Sequence, residues 1–303
     1  MINERRLVDL FLKYVQIDSE SRKEENFREV LEQDLRELGM EVTADEAGNL
    51  FFALDGDEKA EPLLFTAHMD TVVPGQSIRP VMENGVIKSG GDTVLGGDDK
   101  SGIAAIVEAI RVMKEEKIPH RRVEVLFTVE EEIGLNGSRA ADLGQVRSRY
   151  SIAMDGCGPM DEIVVNGAGQ ANVEIEITGV AAHAGNSPEK GVSAVIAAAD
   201  AVSAMKLLTG DAETTANIGT VTANSPTNIV CSHIRMLGEV RSRDNEKLER
   251  QLEHMRSCVE QACRKHGASF QFRADRIYEG YRVEDEAFLA ILRAAYVKLG
   301  VPR

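Results

Sequence analysis

Three apolar runs in this chain stop at a cluster of acids or a histidine, and this pattern limits what it can fold into. Leu63-Leu64-Phe65-Thr66-Ala67 leads into His68-Met69-Asp70, Val125-Leu126-Phe127-Thr128-Val129 into Glu130-Glu131-Glu132, and Ser151-Ile152-Ala153-Met154 into Asp155. A fourth cluster, Asp98-Asp99, stands between Gly96-Gly97 and a helical pattern of Ile103, Ile106, Val107, Ile110 and Met113. Short apolar runs read as buried strands, and their alternation with helices predicts an α/β domain with a largely parallel sheet. The ligand crevice of such sheets lies beyond the carboxyl edge, which would gather clusters that are distant in sequence.

Around these strands the pattern is ordinary. Leu7, Leu10, Phe11, Tyr14 and Val15 recur with helical spacing, and a second helix is expected over Glu24–Leu38 with Gly39 as its stop. Leu50–Leu54 reads as a strand, and Asn84-Gly85 as a hairpin turn. From Asn166-Gly167-Ala168-Gly169 onward the pattern changes. Val173, Ile175 and Ile177 alternate with polar residues, as in a strand with one solvated face. Helices are expected over 192–208 and 246–266, interleaved with strands near 217–222, 228–240 and 270–274. This second pattern predicts an α+β unit with an antiparallel sheet, inserted at 169–282 into a first domain of 1–168 and 283–303.

The formal charge of -15 argues against nucleic acid or an anionic membrane as the main partner. No apolar run is long enough to span a bilayer, and the first residues lack the apolar core of a secretory signal. Cys157, Cys231, Cys258 and Cys263 have no paired metal-knuckle spacing and are expected to be buried free thiols in a reducing cytoplasm.

The clusters carry the chemistry. Alternate strand residues share a face, so His68 and Asp70 are placed for a carboxylate to orient a metal-binding imidazole. Asp98-Asp99 reads either as a helix cap or as a carboxylate pair compensated by divalent cations. Gly91 and Gly96 have the separation of a phosphate loop, but Gly97-Asp98 stand where Lys-Ser or Lys-Thr is required, and acids there repel phosphate. Within Glu130-Glu131-Glu132, one carboxylate can hold a metal while its neighbour accepts a proton from water. One histidine with several carboxylates suits Zn²⁺, with Mn²⁺ or Co²⁺ as alternatives. No His-Glu-x-x-His helix and no Gly-x-Ser-x-Gly elbow is present.

In order and spacing the chain resembles the M20 family of dinuclear zinc peptidases, within it the peptidase T-like tripeptidases. The matching stretches are His68-Met69-Asp70-Thr71-Val72, Gly96–Gly102, Thr128–Gly134, Ser151–Gly156 and Gly179–Gly185. The resemblance implies a phosphorylase/hydrolase-like catalytic domain with helices on both faces of its sheet, and an inserted lid that often also forms a homodimer contact. It implies two divalent metal ions. His68 and Asp155 would hold the first and Glu132 the second, with Asp98 bridging both. Asp70 would orient His68, and Glu131, counted back from Gly134, would be general base and acid acting on a metal-bridging water. His183, Asn228 and Arg241 would contact the substrate from the lid. The implied activity is release of the N-terminal residue from tripeptides in the cytoplasm. Another M20 activity (carboxypeptidase, dipeptidase or N-acyl amino acid hydrolase) and a non-catalytic M20-like binding protein are the alternatives. The family also draws a metal-binding histidine from a segment well beyond the helix ending at Leu299-Gly300. His120, His233, His254 and His266 match no such motif, so the first metal is expected to bind more tightly than the second.

Overall fold

The apolar runs form strands because their side chains find a common core. A computed structural model of the protein describes residues 2–156, 158–159 and 162–300. Its contacts divide the chain into two compact units, 1–160 and 161–303.

The first unit begins with α1 (Glu4–Val15) and α2 (Glu25–Glu37), followed by β1 (Thr43–Ala44), β2 (Leu50–Leu54) and β3 (Leu63–His68). A hairpin of β4 (Pro80–Glu83) and β5 (Val86–Ser89) precedes α3 (Gly97–Glu115). Then come β6 (Val123–Thr128), the short α4 (Asn136–Ala140) and β7 (Tyr150–Ala153). The hairpin turns on Asn84 and Gly85, both at positive φ. Five strands form one sheet in the order β1-β2-β6-β3-β7. β3 runs parallel to both β6 and β7, whereas β2 lies antiparallel to β6. The sheet is therefore mixed, with its parallel part where the clusters end. Helices α1, α2 and α3 supply Tyr14, Phe27, Leu31, Leu35, Ile103, Val107 and Ile110 to a core shared with Leu50, Phe52, Ala67, Val125 and Phe127. A smaller apolar group, Phe51, Leu64 and Leu126, packs with Ala141 and Val146.

The second unit contains β8 (Asn166–Gly167), β9 (Gly169–Thr178), α5 (Ala194–Ala204), β10 (Leu208–Thr209), β11 (Thr214–Thr222) and β12 (His233–Ser242). It continues through α6 (Asn245–His266), β13 (Ser269–Tyr278), β14 (Tyr281–Arg282) and α7 (Glu286–Leu299). Its five-stranded sheet has the order β10-β11-β12-β9-β13 and is antiparallel throughout. α6 buries Leu248, Leu252, Met255, Val259 and Ala262, a run of fours and threes that keeps one face on the sheet. α5 presents Ala194, Ala197, Ala198 and Ala201 to the same core, and side chains this small let helices approach closely. The helix expected over 192–208 stops at Ala204, and the strand expected from Asn228 begins at His233, leaving 228–232 as a loop. Cys258 and Cys263 are buried free thiols, but Cys231, in that loop, is only half-buried, contrary to expectation; Cys157 lies outside the described residues.

One glycine fixes the geometry that the site needs. A Cβ on Gly102 would lie 2.9 Å from Cβ of Met154 and closer still to Oδ1 of Asp99. The first turn of α3 is thus pressed against the end of β7, one residue before Asp155. Gly102→Ala should cost about 1–3 kcal/mol through overpacking. At about 2–4 °C per kcal/mol this lowers Tm measurably, and calorimetry showing no loss would contradict the close approach.

Candidate metal centre

β3 and β6 are parallel neighbours with His68 opposite Thr128, and the Met69 N–H donates to the Thr128 carbonyl at 2.8 Å. Asp70 therefore emerges beside residues 130–132. Its fully buried carboxylate accepts the Glu131 N–H on Oδ1 at 2.9 Å and the Glu132 N–H on Oδ2 at 3.1 Å. The Ser21 hydroxyl donates to Oδ2 at 2.7 Å. Nδ1 of His68 lies 2.9 Å from the backbone carbonyl of Asp70 and 3.3 Å from its Oδ1. The orienting contact expected from the Asp70 carboxylate is thus shared with its main chain. At the other side of the ring, Nε2 is 2.8 Å from Oδ1 of Asp98.

The acids sort into different tasks. One ligand atom each of His68, Asp98 and Asp155 lie within 4.8 Å of one another, and so do those of His68, Glu131 and Glu132. Glu130 sits at φ 51°, and this left-handed turn swings the next two residues toward Asp70. Its own carboxylate is 3.5 Å from Arg22 and accepts from the Asn136 amide at 3.0 Å. Asp98 and Asp99 divide the two readings of their pair. The Asp98 side chain is exposed and faces His68, whereas buried Asp99 accepts the Gly102 N–H at 3.1 Å and the His68 N–H at 3.3 Å. Asp99 is thus both helix cap and support for His68. The i to i+3 spacing to Gly102 was a signal for the cap; nothing in the sequence marked the bond to His68.

In the second unit, the loops bearing His183 and Asn228 pair with one another. The Ala184 N–H donates to the Asn228 carbonyl at 2.8 Å, and the Val230 N–H to the Ala182 carbonyl at 2.9 Å. Exposed His183 accepts the Gly185 and Asn186 N–H groups on Nδ1, both at 3.1 Å. Arg241 is not with them. It lies near the far end of β12, roughly 26 Å of strand from His233 at about 3.3 Å per residue, and pairs with Glu239 at 3.0 Å.

Comparison with known proteins separates the readings of this geometry. A profile described as the peptidase dimerisation domain matches residues 167–267, and one described as peptidase family M28 matches 49–201. YqjE of Bacillus subtilis is 42% identical over 100% of this chain and 84% of its own length. The crystal structure of aminopeptidase PepT from Bacillus cereus superposes with a TM-score of 0.91 at 41% identity, covering 99% of this chain and 83% of that one. That of a tripeptidase from Staphylococcus aureus gives 0.96 at 36% identity, covering 100% and 83%. The chain belongs to the M20 peptidase family, on its peptidase T-like branch. Peptidase T of Listeria monocytogenes is 30% identical over 63% of this chain, a match that spans 58% of its length. The M28 match points to a peptidase as well, and near-full-length likeness to peptidase T structures decides between the families.

The M20 site has electrostatics that a cation would complete. Burial opposes charge on His68, but Asp70 and Asp98 outweigh it and push its pKa up to about 10. Burial, reinforced by Asp98, raises Glu132 to about 7, and the same two causes raise Asp155. Burial also raises Glu131 and takes Asp99 to about 7. Asp70 is held low: burial alone would raise it, but His68, Ser21 and the Glu131 N–H favour its anion. The donor set of one imidazole and several carboxylates that repel one another suits a divalent metal.

A divalent ion needs neutral imidazole and ionised carboxylate, so it must displace the His68 proton and part of that on Glu132. Zn²⁺ affinity should therefore rise with pH from 6 toward 9, with roughly one proton released near pH 7 where His68 takes up an ion and about half a proton where Glu132 does. Calorimetric titration in two buffers of different ionisation enthalpy measures that release; a pH-independent affinity would contradict it. In the metal-free chain the sign is opposite. The raised His68 pKa contributes stability that is complete below about 6.5 and is lost as pH climbs through about 10.

Proposed function

We propose that this M20 chain is a metal-dependent peptidase that releases the N-terminal residue from short peptides, tripeptides above all. The observation that carries the reading is Asp70, whose one carboxylate contacts the His68 ring and both strand-end acids, Glu131 and Glu132. In this reading His68 and Asp155 would hold one metal ion and Glu132 a second, with Asp98 as the ligand the two would share. Zn²⁺ is the ion that the donor set favours, with Mn²⁺ or Co²⁺ as alternatives. When bound, the ions supply Lewis-acid polarisation of the scissile carbonyl and lower the pKa of water.

The chain's own residues do the rest. Glu131 takes a proton from the attacking water and delivers it to the departing amine. A carboxylate whose pKa burial has raised is better matched to that exchange near neutral pH than an exposed one. Asp70 keeps His68 oriented. His183 and Asn228, brought together in the second unit, are assigned to hold substrate oxygens, and Arg241 to a substrate carboxylate.

The wider setting belongs to the same proposal. Residues 283–303 are assigned to the catalytic domain and 169–282 to a lid. The lid is assigned a homodimer contact, supported by the dimerisation-domain match over 167–267. No described helix is long and apolar enough to cross a membrane, and a cytoplasmic site of action is proposed.

Glu131→Gln preserves shape and removes the base. It should lower kcat on a free tripeptide by about 10²–10⁴-fold while metal content, measured by atomic absorption, stays at the wild-type level. Full turnover by that variant would remove Glu131 from the chemistry. An N-terminally blocked tripeptide should be a poor substrate for the wild type, and equal cleavage of blocked and free peptides would favour another M20 activity.

A further inference from the structure

The ligand-bearing turns of the first unit share one structural neighbour. Three of them bond to the segment between α1 and α2, residues 17–24. The 68–71 turn is reached twice by main chain: the Thr71 N–H donates to the Ser19 carbonyl at 3.0 Å, and the Ser21 N–H to the Thr71 carbonyl at 3.3 Å. The Ser21 hydroxyl then meets Asp70 at 2.7 Å. The 130–132 turn is reached by Glu24, whose buried carboxylate accepts the Glu130 N–H at 3.0 Å, and by Arg22, 3.5 Å from the Glu130 carboxylate. The Asp98–Asp99 turn is reached through the next residue. Fully buried Lys100 donates to the Ile17 carbonyl at 2.6 Å and lies 4.6 Å above the Phe27 ring.

Backbone strain lies on both sides of this contact. Arg22 has φ 71° and Glu130 φ 51°, so two non-glycine residues in the left-handed region face each other through an ion pair. Each costs on the order of 1–3 kcal/mol and persists only where its surroundings over-determine it, and such residues cluster at functional sites.

We infer that residues 17–24 form a positioning brace for the metal centre, and that Ser21 is the positioning residue through which it acts on Asp70. Oδ2 of Asp70 accepts from two donors, the Ser21 hydroxyl and the Glu132 N–H. Without the hydroxyl, Oδ2 keeps only the donor on the Glu132 turn. The carboxylate can then rotate with that turn and no longer holds His68 and Glu132 in one fixed relation. Groups that hydrogen-bond to metal ligands, as Asp70 does to His68, typically tune metal affinity by 10–100-fold. Ser21 acts one bond further out, which places its effect at the lower end of that range.

The inference rests on the metallopeptidase reading, so the test separates the two. Zn²⁺ affinity is measured by competition with a chromophoric chelator for wild type, Ser21→Ala and Ser21→Thr, with the Tm of each metal-free protein as control. Ser21→Ala should bind Zn²⁺ about tenfold more weakly, with a metal-free Tm within a few degrees of wild type. Ser21→Thr keeps the hydroxyl at a half-buried position, and should return affinity to within about threefold. Unchanged affinity in Ser21→Ala overturns the brace and leaves the metallopeptidase reading intact. A large fall in metal-free Tm that Ser21→Thr does not restore reduces Ser21 to a folding role and also overturns it. A wild-type chain that takes up no Zn²⁺ overturns both.

Discussion

The carboxylate of Asp70 is the interaction on which the first unit's site depends. An ion this deeply buried is costly unless each oxygen is met by a donor, and the fold supplies donors from three directions: Ser21, His68, and the Glu131 and Glu132 amides. The requirement works in both directions. Asp70 stays ionised because these groups surround it, and they are held in place because Asp70 cannot be left unpaired. Parallel pairing of β3 with β6 makes the arrangement reachable, since it sets His68 beside Thr128 and leaves both strand ends on the same edge.

How much of this was legible in the sequence follows from the range of each interaction. The strands and their terminal clusters were, because a buried strand is an apolar run and the site residues follow directly after it. The pairing of His68 with Asp70 is a two-residue relation that is kept although β3 ends at His68 and Asp70 lies in the turn after it. The separate duties of Asp98 and Asp99 were not readable from the pair alone. Both are acids ahead of a helix, and it is their hydrogen bonds that show Asp99 turned inward, accepting the Gly102 and His68 N–H groups, while Asp98 faces the His68 ring. Counting from Gly134 assigned the base to Glu131 and not to Glu130; the structure shows Glu130 in a left-handed turn with its side chain engaged by Arg22 and Asn136. Ser21 gave no signal. It sits 49 residues before Asp70, and a serine between two helices looks like any other.

The second unit shows the same limit in a different form. Its alternating strands and long amphipathic helix were plain, but the register that joins His183 to Ile229 was not. Because β12 begins at His233, Asn228 lies in the loop beside His183, whereas Arg241 is carried away along the strand. Residues proposed to grip one substrate thus fall at opposite ends of one strand. Within this unit, Arg241 is therefore held apart from the His183–Asn228 pair, beside Glu239.

The electrostatics bear on why so many acids are gathered in a chain whose formal charge is already -15. Brought to one sheet edge and partly desolvated, carboxylates cannot all stay ionised without compensation. In the free protein that compensation comes from protons, as the raised pKa values of Glu132, Asp155 and His68 show. A divalent cation offers more charge in less space and meets several carboxylates at once, so metal and protons compete for the same atoms. Asp70 stands outside that competition, because its anion is held by donors of the protein itself. A group that does not titrate with its neighbours can keep their geometry constant whichever of the two, protons or metal, they hold.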